Sequence, residues 1–156
     1  MRLGLRNTSY LLVAAWALAA VTGSAAAQSV TYENAVKKIL ADRCMGCHGG
    51  GAPTLAEFDK DKEGWKKKMK GPRFDNYANL MILVNGSDAG ALMRRLDDGK
   101  NTKDGKPGNM YVWLGSSDAE RAQRLGVMKK WVGNWSLKRR KDLTEGELRS
   151  ITAAEK

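Results

Sequence analysis

Residues 44–48, CMGCH, contain both cysteines and the only histidine of the 156-residue sequence. Two thiols and an imidazole within five positions could form a redox disulfide, part of a metal site, or a site of covalent haem attachment. A zinc site would need a fourth ligand and a second ligand pair at the usual spacing, and the sequence supplies neither. A thioredoxin-like dithiol would be expected near a βαβ pattern, which is also missing.

Cys-x-x-Cys-His is the attachment signature of c-type haem. In such a site Cys44 and Cys47 form thioethers with the haem vinyl groups, and the same turn places the imidazole of His48 on the iron. All three bonds must come from one compact turn, and this spacing satisfies that requirement. We therefore predict one covalently bound haem c, with His48 as the proximal ligand.

The second axial ligand cannot be histidine, because His48 is the only one. Met110 follows a glycine-rich polar loop, GKNTKDGKPGNM. An extended loop can bring a thioether close to the iron on the face opposite His48, so we predict Met110 as the second ligand. The alternative is that Met110 packs against Trp113. The other methionines are expected in the attachment turn (Met45), near the surface (Met69) or in the core (Met81, Met93 and Met128).

Helical periodicity dominates the rest of the chain. Thr31 can cap a helix whose apolar stripe leads into Cys44, and Ser117 can cap a helix whose stripe continues to Trp135. Between them, Thr54-x-x-Glu57 predicts a helix start, and two short apolar stripes begin near Tyr77 and Ala89. No period-2 alternation is present. We predict an all-α domain wrapped around one haem, spanning residues 28–135.

The N-terminus has the pattern of a secretory signal peptide, residues 1–27. Two arginines precede the apolar run Tyr10 to Val21, and three alanines end at Ala27. The alternative is an uncleaved membrane anchor. Cleavage would remove two arginines and no acidic residue, so the net charge would fall from +10 to +8. We expect a periplasmic protein.

Residues 30–135 resemble the class I monohaem cytochromes c. The resemblance lies in "CMGCHG", in the methionine-bearing "GNMYVWLG" and in the tryptophan-containing "RLGVMKKWV". It implies that the first and last helices cross beside the haem, which would set one apolar group against another: Val36, Ile39 and Leu40 against Leu125, Met128 and Trp131. It also implies a proline carbonyl that accepts a hydrogen bond from the proximal histidine, for which Pro53 is the candidate. The chain departs from the family pattern at Tyr111, where proline is common, and at Leu40, where an aromatic residue is common.

The resemblance implies a periplasmic one-electron carrier that uses His48 and Met110 as iron ligands and has no catalytic residues. The alternatives are a five-coordinate haem protein that binds small gases and a dedicated subunit of an oxidoreductase complex. The basic charge favours redox partners with acidic docking surfaces, and Lys100, Lys103 and Lys106 could surround the exposed haem edge. Lys66–Lys68 are expected on an exposed helical face.

Residues 136–156 are predicted as a charged C-terminal extension, in which Thr144-x-x-Glu147 can cap a short helix. The basic run KRRK at 138–141 could touch anionic lipid, and a solvated surface is the alternative. Membrane contact is otherwise expected only if the signal segment is retained. Export disfavours nucleic acid as a partner.

Overall fold

The computed structural model describes residue 1 and residues 29–156, so the predicted signal segment lies outside the described part except for its first residue. Residues 29–156 form helices joined by turns and contain no β-strand, which confirms the all-α prediction. A π-helical turn, Tyr32–Val36, runs directly into α1, Lys37–Arg43. The remaining α-helices are α2 (Met45–His48), α3 (Leu55–Lys60), α4 (Lys62–Lys67), α5 (Tyr77–Val84), α6 (Ala91–Leu96), α7 (Asp118–Val132) and α8 (Glu145–Arg149). Tyr111–Leu114 and Arg140–Asp142 are 3-10 turns.

Threonine capping boxes begin three of these helical segments. In each one the threonine hydroxyl accepts the backbone N–H three residues later, and the side chain of that later residue bonds back to the threonine N–H, which satisfies two otherwise unpaired donors. The pairs are Thr31 with Asn34, Thr54 with Glu57, and Thr144 with Glu147. All three helix starts were predicted from the sequence.

The crossing of the N-terminal helical segment with α7 forms the centre of the core. Helix α7 packs against the Tyr32–Val36 turn, and the rings of Tyr32 and Trp131 lie 6.5 Å apart between centroids. The predicted facing groups are buried in one cluster, except that Ile39 is partly exposed; its members are Val36, Leu40, Leu125, Met128 and Trp131. Burial of side chains of this size contributes about 1.5–3 kcal/mol each.

Two helices are shorter than the sequence pattern predicts. Helix α7 stops at Val132 because Gly133 adopts a φ of +76°, a left-handed conformation that ends helices. Trp135 therefore lies beyond the helix. The helix predicted to start at Thr54 is interrupted at Asp61, whose side chain accepts the N–H of Gly64 and begins α4.

Residues 136–156, predicted as a charged C-terminal extension, contribute three buried side chains to the core. Leu143, Ile151 and Ala153 are buried within the same hydrophobic cluster. Ala153 N–H donates to the carbonyl of Trp131, and Gly133 pairs with Ile151 in an isolated antiparallel bridge. These residues reach the core because the turn at Gly133 directs the chain back along the end of α7.

The same segment reaches the N-terminal helical turn. The backbone N–H groups of Tyr32 and Glu33 donate to the carbonyls of Ala154 and Glu155, at 2.8 and 3.0 Å. The indole Nε1–H of Trp131 donates to the same Ala154 carbonyl at 2.8 Å. First-turn N–H groups of a helix lack intrahelical partners, so this segment supplies them. No helix of residues 29–156 has the length and apolarity to cross a membrane.

Candidate haem site

The three residues of the predicted attachment motif lie on one helical turn. Cys44 separates α1 from α2, and its carbonyl accepts N–H groups from Cys47 at 3.1 Å and His48 at 2.9 Å. Gly49 ends the turn, and a Cβ there would lie 2.5 Å from the Met45 carbonyl oxygen. The helix entering the motif and the close approach at Gly49 therefore produce the compact turn that two thioethers and one axial ligand require.

The environment of the cysteines argues against the dithiol and thiolate alternatives. Cys44 is half-buried and Cys47 is exposed. Burial raises the pKa of the Cys44 thiol to about 11, so the thiolate needed for redox exchange or zinc binding is disfavoured at neutral pH. Among the described residues, no cluster of three or more histidine, cysteine or acidic side chains could hold a metal ion.

His48 is held by a segment that arrives from outside the motif. Its ring Nδ1 lies 2.7 Å from the carbonyl oxygen of Pro72, and because a carbonyl can only accept, Nδ1 carries the proton. Burial lowers the pKa of His48, and the Pro72 carbonyl partly offsets this effect. The imidazole is therefore neutral at pH 7, and its Nε2 keeps a lone pair for a metal.

Two further residues fix the plane of the imidazole. Phe74 stacks on it, with 4.4 Å between ring centroids and 20° between the planes. A Cβ on Gly71 would lie 2.2 Å from His48 Cε1, so only glycine leaves room for the ring at this position. The backbone of this segment is tied to the motif by two hydrogen bonds, Gly71 N–H to Cys47 O and Phe74 N–H to His48 O.

Met110 is delivered by a separate part of the chain. It is half-buried against the core, its N–H donates to the Arg95 carbonyl at 2.9 Å, and it immediately precedes the 3-10 turn Tyr111–Leu114. That turn contacts α1, the helix that leads into the attachment motif. Trp113 is 64% exposed and meets Met110 through a backbone hydrogen bond. The assignment of Met110 to the iron stays a prediction.

Comparison with known proteins agrees with this geometry. Residues 31–156 match the family described as PccH cytochrome c. The chain belongs to this family. The structure of monoheme cytochrome PccH from Geobacter sulfurreducens aligns with a TM-score of 0.76 and 48% sequence identity, covering 81% of this chain and 99% of that chain. No curated protein sequence matches the chain.

Membership of the PccH cytochrome c family implies one covalently bound haem c, as the motif predicted. The residues present fit that group. Besides the attachment turn, Arg73 has a buried Nε that makes no hydrogen bond within the described part of the chain. The Asp75 carboxylate lies 3.4 Å from it without hydrogen-bond geometry. Haem carries two carboxylates, the acceptors that such an orphaned donor needs.

The structure of this PccH-family protein corrects the prediction that the Pro53 carbonyl accepts the hydrogen bond from His48. The carbonyl that accepts from His48 belongs to Pro72, whereas the carbonyl of Pro53 accepts the N–H of Arg73 at 2.7 Å. Pro53 lies where the chain leaves the attachment turn. The chain returns to the imidazole only after α3 and α4. Pro53 thus anchors the segment that carries Pro72.

Sequence reasoning also missed Gly71 and Phe74, which lie against the His48 ring, and Arg73 between them in the chain. A signal was available in the segment KGPRF, residues 70–74, because a Gly-Pro pair after a helical lysine run marks a change of chain direction. The distance of this segment from the motif in sequence hid its role.

Proposed function

We propose that the chain is a one-electron carrier whose haem iron is bound by His48 and Met110. The observation that carries this proposal is the contact of His48 Nδ1 with the Pro72 carbonyl at 2.7 Å, which fixes the ring and leaves Nε2 for the iron. A half-buried methionine beside a turn that contacts α1 supports the second ligand. An iron held by both of these side chains would have no position left for a substrate.

Bound haem c supplies an iron that changes reversibly between Fe(III) and Fe(II). The hydrogen bond to Pro72 increases the basicity of His48. The thioether of Met110 is a weak donor that favours the ferrous state. Cys44 and Cys47 hold the macrocycle in place. These residues bind and orient, and none has to transfer a proton, so we assign no catalytic residue.

The test is the absorption spectrum of the matured protein and of a Met110→Ala variant. We expect the wild type to show the weak red-region band of a sulfur ligand on ferric iron and to resist carbon monoxide when ferrous. Met110→Ala should lose the band and bind carbon monoxide. Met81→Ala is the matched control, because Met81 is also half-buried against the core. It should keep the wild-type spectrum.

A wild-type protein without the red-region band that readily binds carbon monoxide would overturn the carrier proposal. It would favour the five-coordinate alternative, in which an open iron position binds small gases. A red-region band that persists in Met110→Ala but disappears in Met81→Ala would instead move the sulfur ligand to Met81.

We further propose that redox partners dock through acidic surfaces, guided by the basic charge of the chain. Lys100, Lys103 and Lys106 lie exposed on the loop that precedes Met110, which supports a position near the haem edge. The comparison cluster is Lys66–Lys68, which is exposed in and just after α4. Replacing the first three lysines by glutamate should slow electron transfer to an acidic redox protein at low ionic strength. Replacing the second three should have a smaller effect, and the opposite order would contradict the assignment.

We propose that the carrier is periplasmic. Residues 1–27 have the pattern of a signal peptide that directs export, and haem attachment at Cys44 and Cys47 would accompany that export. The mass of the protein purified from periplasm should equal that of residues 28–156 plus one haem. A mass that includes residues 1–27 would indicate a retained anchor. Stable copurification with one oxidoreductase would favour the dedicated-subunit alternative, whereas a carrier should be recovered alone because turnover requires release from each partner.

A further inference from the structure

Asp97 is an acidic residue with a fully buried side chain. It directly follows α6 and begins the loop that leads to Met110. Its carboxylate accepts four hydrogen bonds, all from uncharged donors: Gly99 N at 2.9 Å, Asn101 N at 3.3 Å, Asn101 Nδ2 at 2.8 Å and Trp135 Nε1 at 2.9 Å. Burial of a carboxylate costs free energy unless donors such as these compensate it, so the buried Asp97 depends on all four of these hydrogen bonds.

The four donors come from two different parts of the chain. Gly99 and Asn101 belong to the loop itself, while Trp135 belongs to the segment that follows α7. The carboxylate therefore curls the start of the loop and fastens it to the C-terminal part of the core. Lys129 lies over the Trp135 ring, 5.6 Å from its centroid, and helps to fix the indole.

The other end of the loop closes on the backbone of Asp97. The N–H of Gly108 donates to the Asp97 carbonyl at 2.8 Å, and the N–H of Met110 donates to the Arg95 carbonyl at 2.9 Å. A Cβ on Gly108 would lie 2.4 Å from the carbonyl oxygens of Arg94 and Arg95, so the returning chain runs directly against the end of α6. Met110 is only two residues beyond this closure.

The charge of Asp97 is compatible with its burial. Burial by itself would raise the pKa of Asp97, but the hydrogen bonds from Asn101, Trp135 and Gly99 outweigh it and lower the pKa. The group is thus ionised at neutral pH. Removing the charge of Asp97 or one of its donors leaves a buried polar group without a partner. The free-energy penalty for such a group is larger than the net contribution of an ordinary hydrogen bond.

We propose that Asp97 is a positioning residue that holds the loop of residues 97–110 closed and thereby keeps Met110 on the haem iron. This inference rests on the proposed ligation by His48 and Met110. Asp97 acts through the loop and does not touch the iron. Opening of the loop at Asp97 exposes the Met110 side of the haem without unfolding the helices.

The experiment compares Asp97→Asn with Asp104→Asn in matured, full-length protein. The first variant turns one acceptor oxygen into an NH₂ group that faces other donors. The second makes the same chemical change on an exposed carboxylate of the same loop, which accepts the N–H of Lys106 through one oxygen that asparagine retains. Because an unsatisfied buried donor costs enough to shift an equilibrium about tenfold to a hundredfold, carbon monoxide should bind ferrous Asp97→Asn at least about tenfold faster than wild type. The ferric red-region band should weaken, while Asp104→Asn should match the wild type.

A second variant keeps the proposal testable if Asp97→Asn does not fold. Trp135→Phe retains an aromatic ring and the Asp97 charge but removes one donor, so it should shift both readouts in the same direction by a smaller factor. Circular dichroism must stay unchanged at the measuring temperature, which separates loop opening from unfolding. The deciding variant is Asp97→Asn if it folds, and Trp135→Phe if it does not. If that variant keeps the wild-type band and the wild-type carbon monoxide kinetics, the positioning role is wrong while the His48/Met110 ligation stands. If the wild type itself lacks the band, the ligation is wrong and the positioning role falls with it.

Discussion

The imidazole of His48 donates a hydrogen bond from Nδ1 to the carbonyl oxygen of Pro72, at 2.7 Å. Between these two residues the chain forms α3 and α4 and then returns through Gly71, which leaves room for the ring. The electronic character of the imidazole therefore depends on a backbone segment that shares no helix with the attachment motif. Substitutions in that segment should act on the iron without changing a ligand.

Gly71→Ala should raise the reduction potential. The added Cβ would meet His48 Cε1 at 2.2 Å, so the ring must move and the hydrogen bond to Pro72 must weaken. A less basic imidazole stabilises Fe(III) less well, and a tenfold change in relative affinity corresponds to about 60 mV for one electron. Potentiometric titration measures the shift. Gly126→Ala is the control, because a Cβ there meets nothing within 4 Å. An unchanged or lower potential in Gly71→Ala would contradict this account.

Truncation after Ser150 should destabilise the protein by about 3 kcal/mol or more. It removes the buried side chains of Ile151 and Ala153 and the carbonyl of Ala154, which accepts from Tyr32 and Trp131. Burial of a residue like isoleucine contributes about 1.5–3 kcal/mol, and each lost hydrogen bond adds about 1 kcal/mol. Denaturant unfolding measures the loss. Removal of residue 156 alone, which is exposed, is the control, and equal stability of the two truncated chains would refute the structural role.

Glu147 should titrate far below an ordinary glutamate. Hydrogen bonds from Lys138 and Thr144 lower the pKa of Glu147 from 4.5 to about 2. Because the pKa is lowered on folding, the carboxylate stabilises the protein fully above pH 4.5, and this contribution is lost as the pH falls from 4.5 to 2. The melting temperature of Glu147→Gln should therefore depend less on pH in this interval than that of the wild type. Glutamine keeps the capping geometry.

Glu145→Gln is the control for that measurement, since Glu145 lies on the same helix with 69% of its side chain exposed. A Glu147 carboxyl that titrates near 4.5 by nuclear magnetic resonance would show that Lys138 and Thr144 do not hold it in solution.

The ion pairs between α1 and α7 should contribute little to stability. Across this contact Arg124 lies 2.8 Å from Asp42 and Arg43 lies 3.3 Å from Glu120. Arg124 also pairs with Glu120 within α7, at 2.7 Å. Asp42 has 51% of its side chain exposed, so solvent screens its attraction to Arg124. A double-mutant cycle on Asp42 and Arg124 should give a coupling free energy below about 1 kcal/mol that decreases with added salt.

The matched measurement is a cycle on Glu33 and Lys37, an exposed pair one helical turn apart at 3.0 Å. It should give about 0.3–0.5 kcal/mol. A coupling of several kcal/mol between Asp42 and Arg124 would mean that water does not reach this interface.

Local signals in the sequence predicted local structure well. The threonines at 31, 54 and 144 each satisfy donors within three residues, so the start of each helix is encoded where it occurs. The burial of Met93 and Met128 and the exposure of Met69 followed from helical periodicity and neighbouring charge. The attachment turn was predictable for the same reason, because residues 44–48 contain all of its chemistry.

Contacts between distant segments were not predictable in this way. Pro53 was predicted because it is the nearest proline after the attachment motif, and nothing in residues 53–72 indicates that the chain returns to the imidazole after α3 and α4. Asp97 was likewise overlooked, since a carboxylate in a polar loop carries no local sign that Trp135 will donate to it. Residues 136–156 look like a charged surface because their buried members, Leu143, Ile151 and Ala153, are widely spaced.

The hydrogen bonds from Tyr32 and Glu33 to Ala154 and Glu155 have a consequence for the order of synthesis. The helical segment that leads into the CMGCH motif is completed by acceptors that the ribosome adds more than a hundred residues later. Contacts of such large sequence separation are slow to form because the intervening chain must be ordered first. The attachment turn can therefore be complete before the fold that encloses it closes, which leaves an interval in which Cys44 is accessible for the attachment of haem.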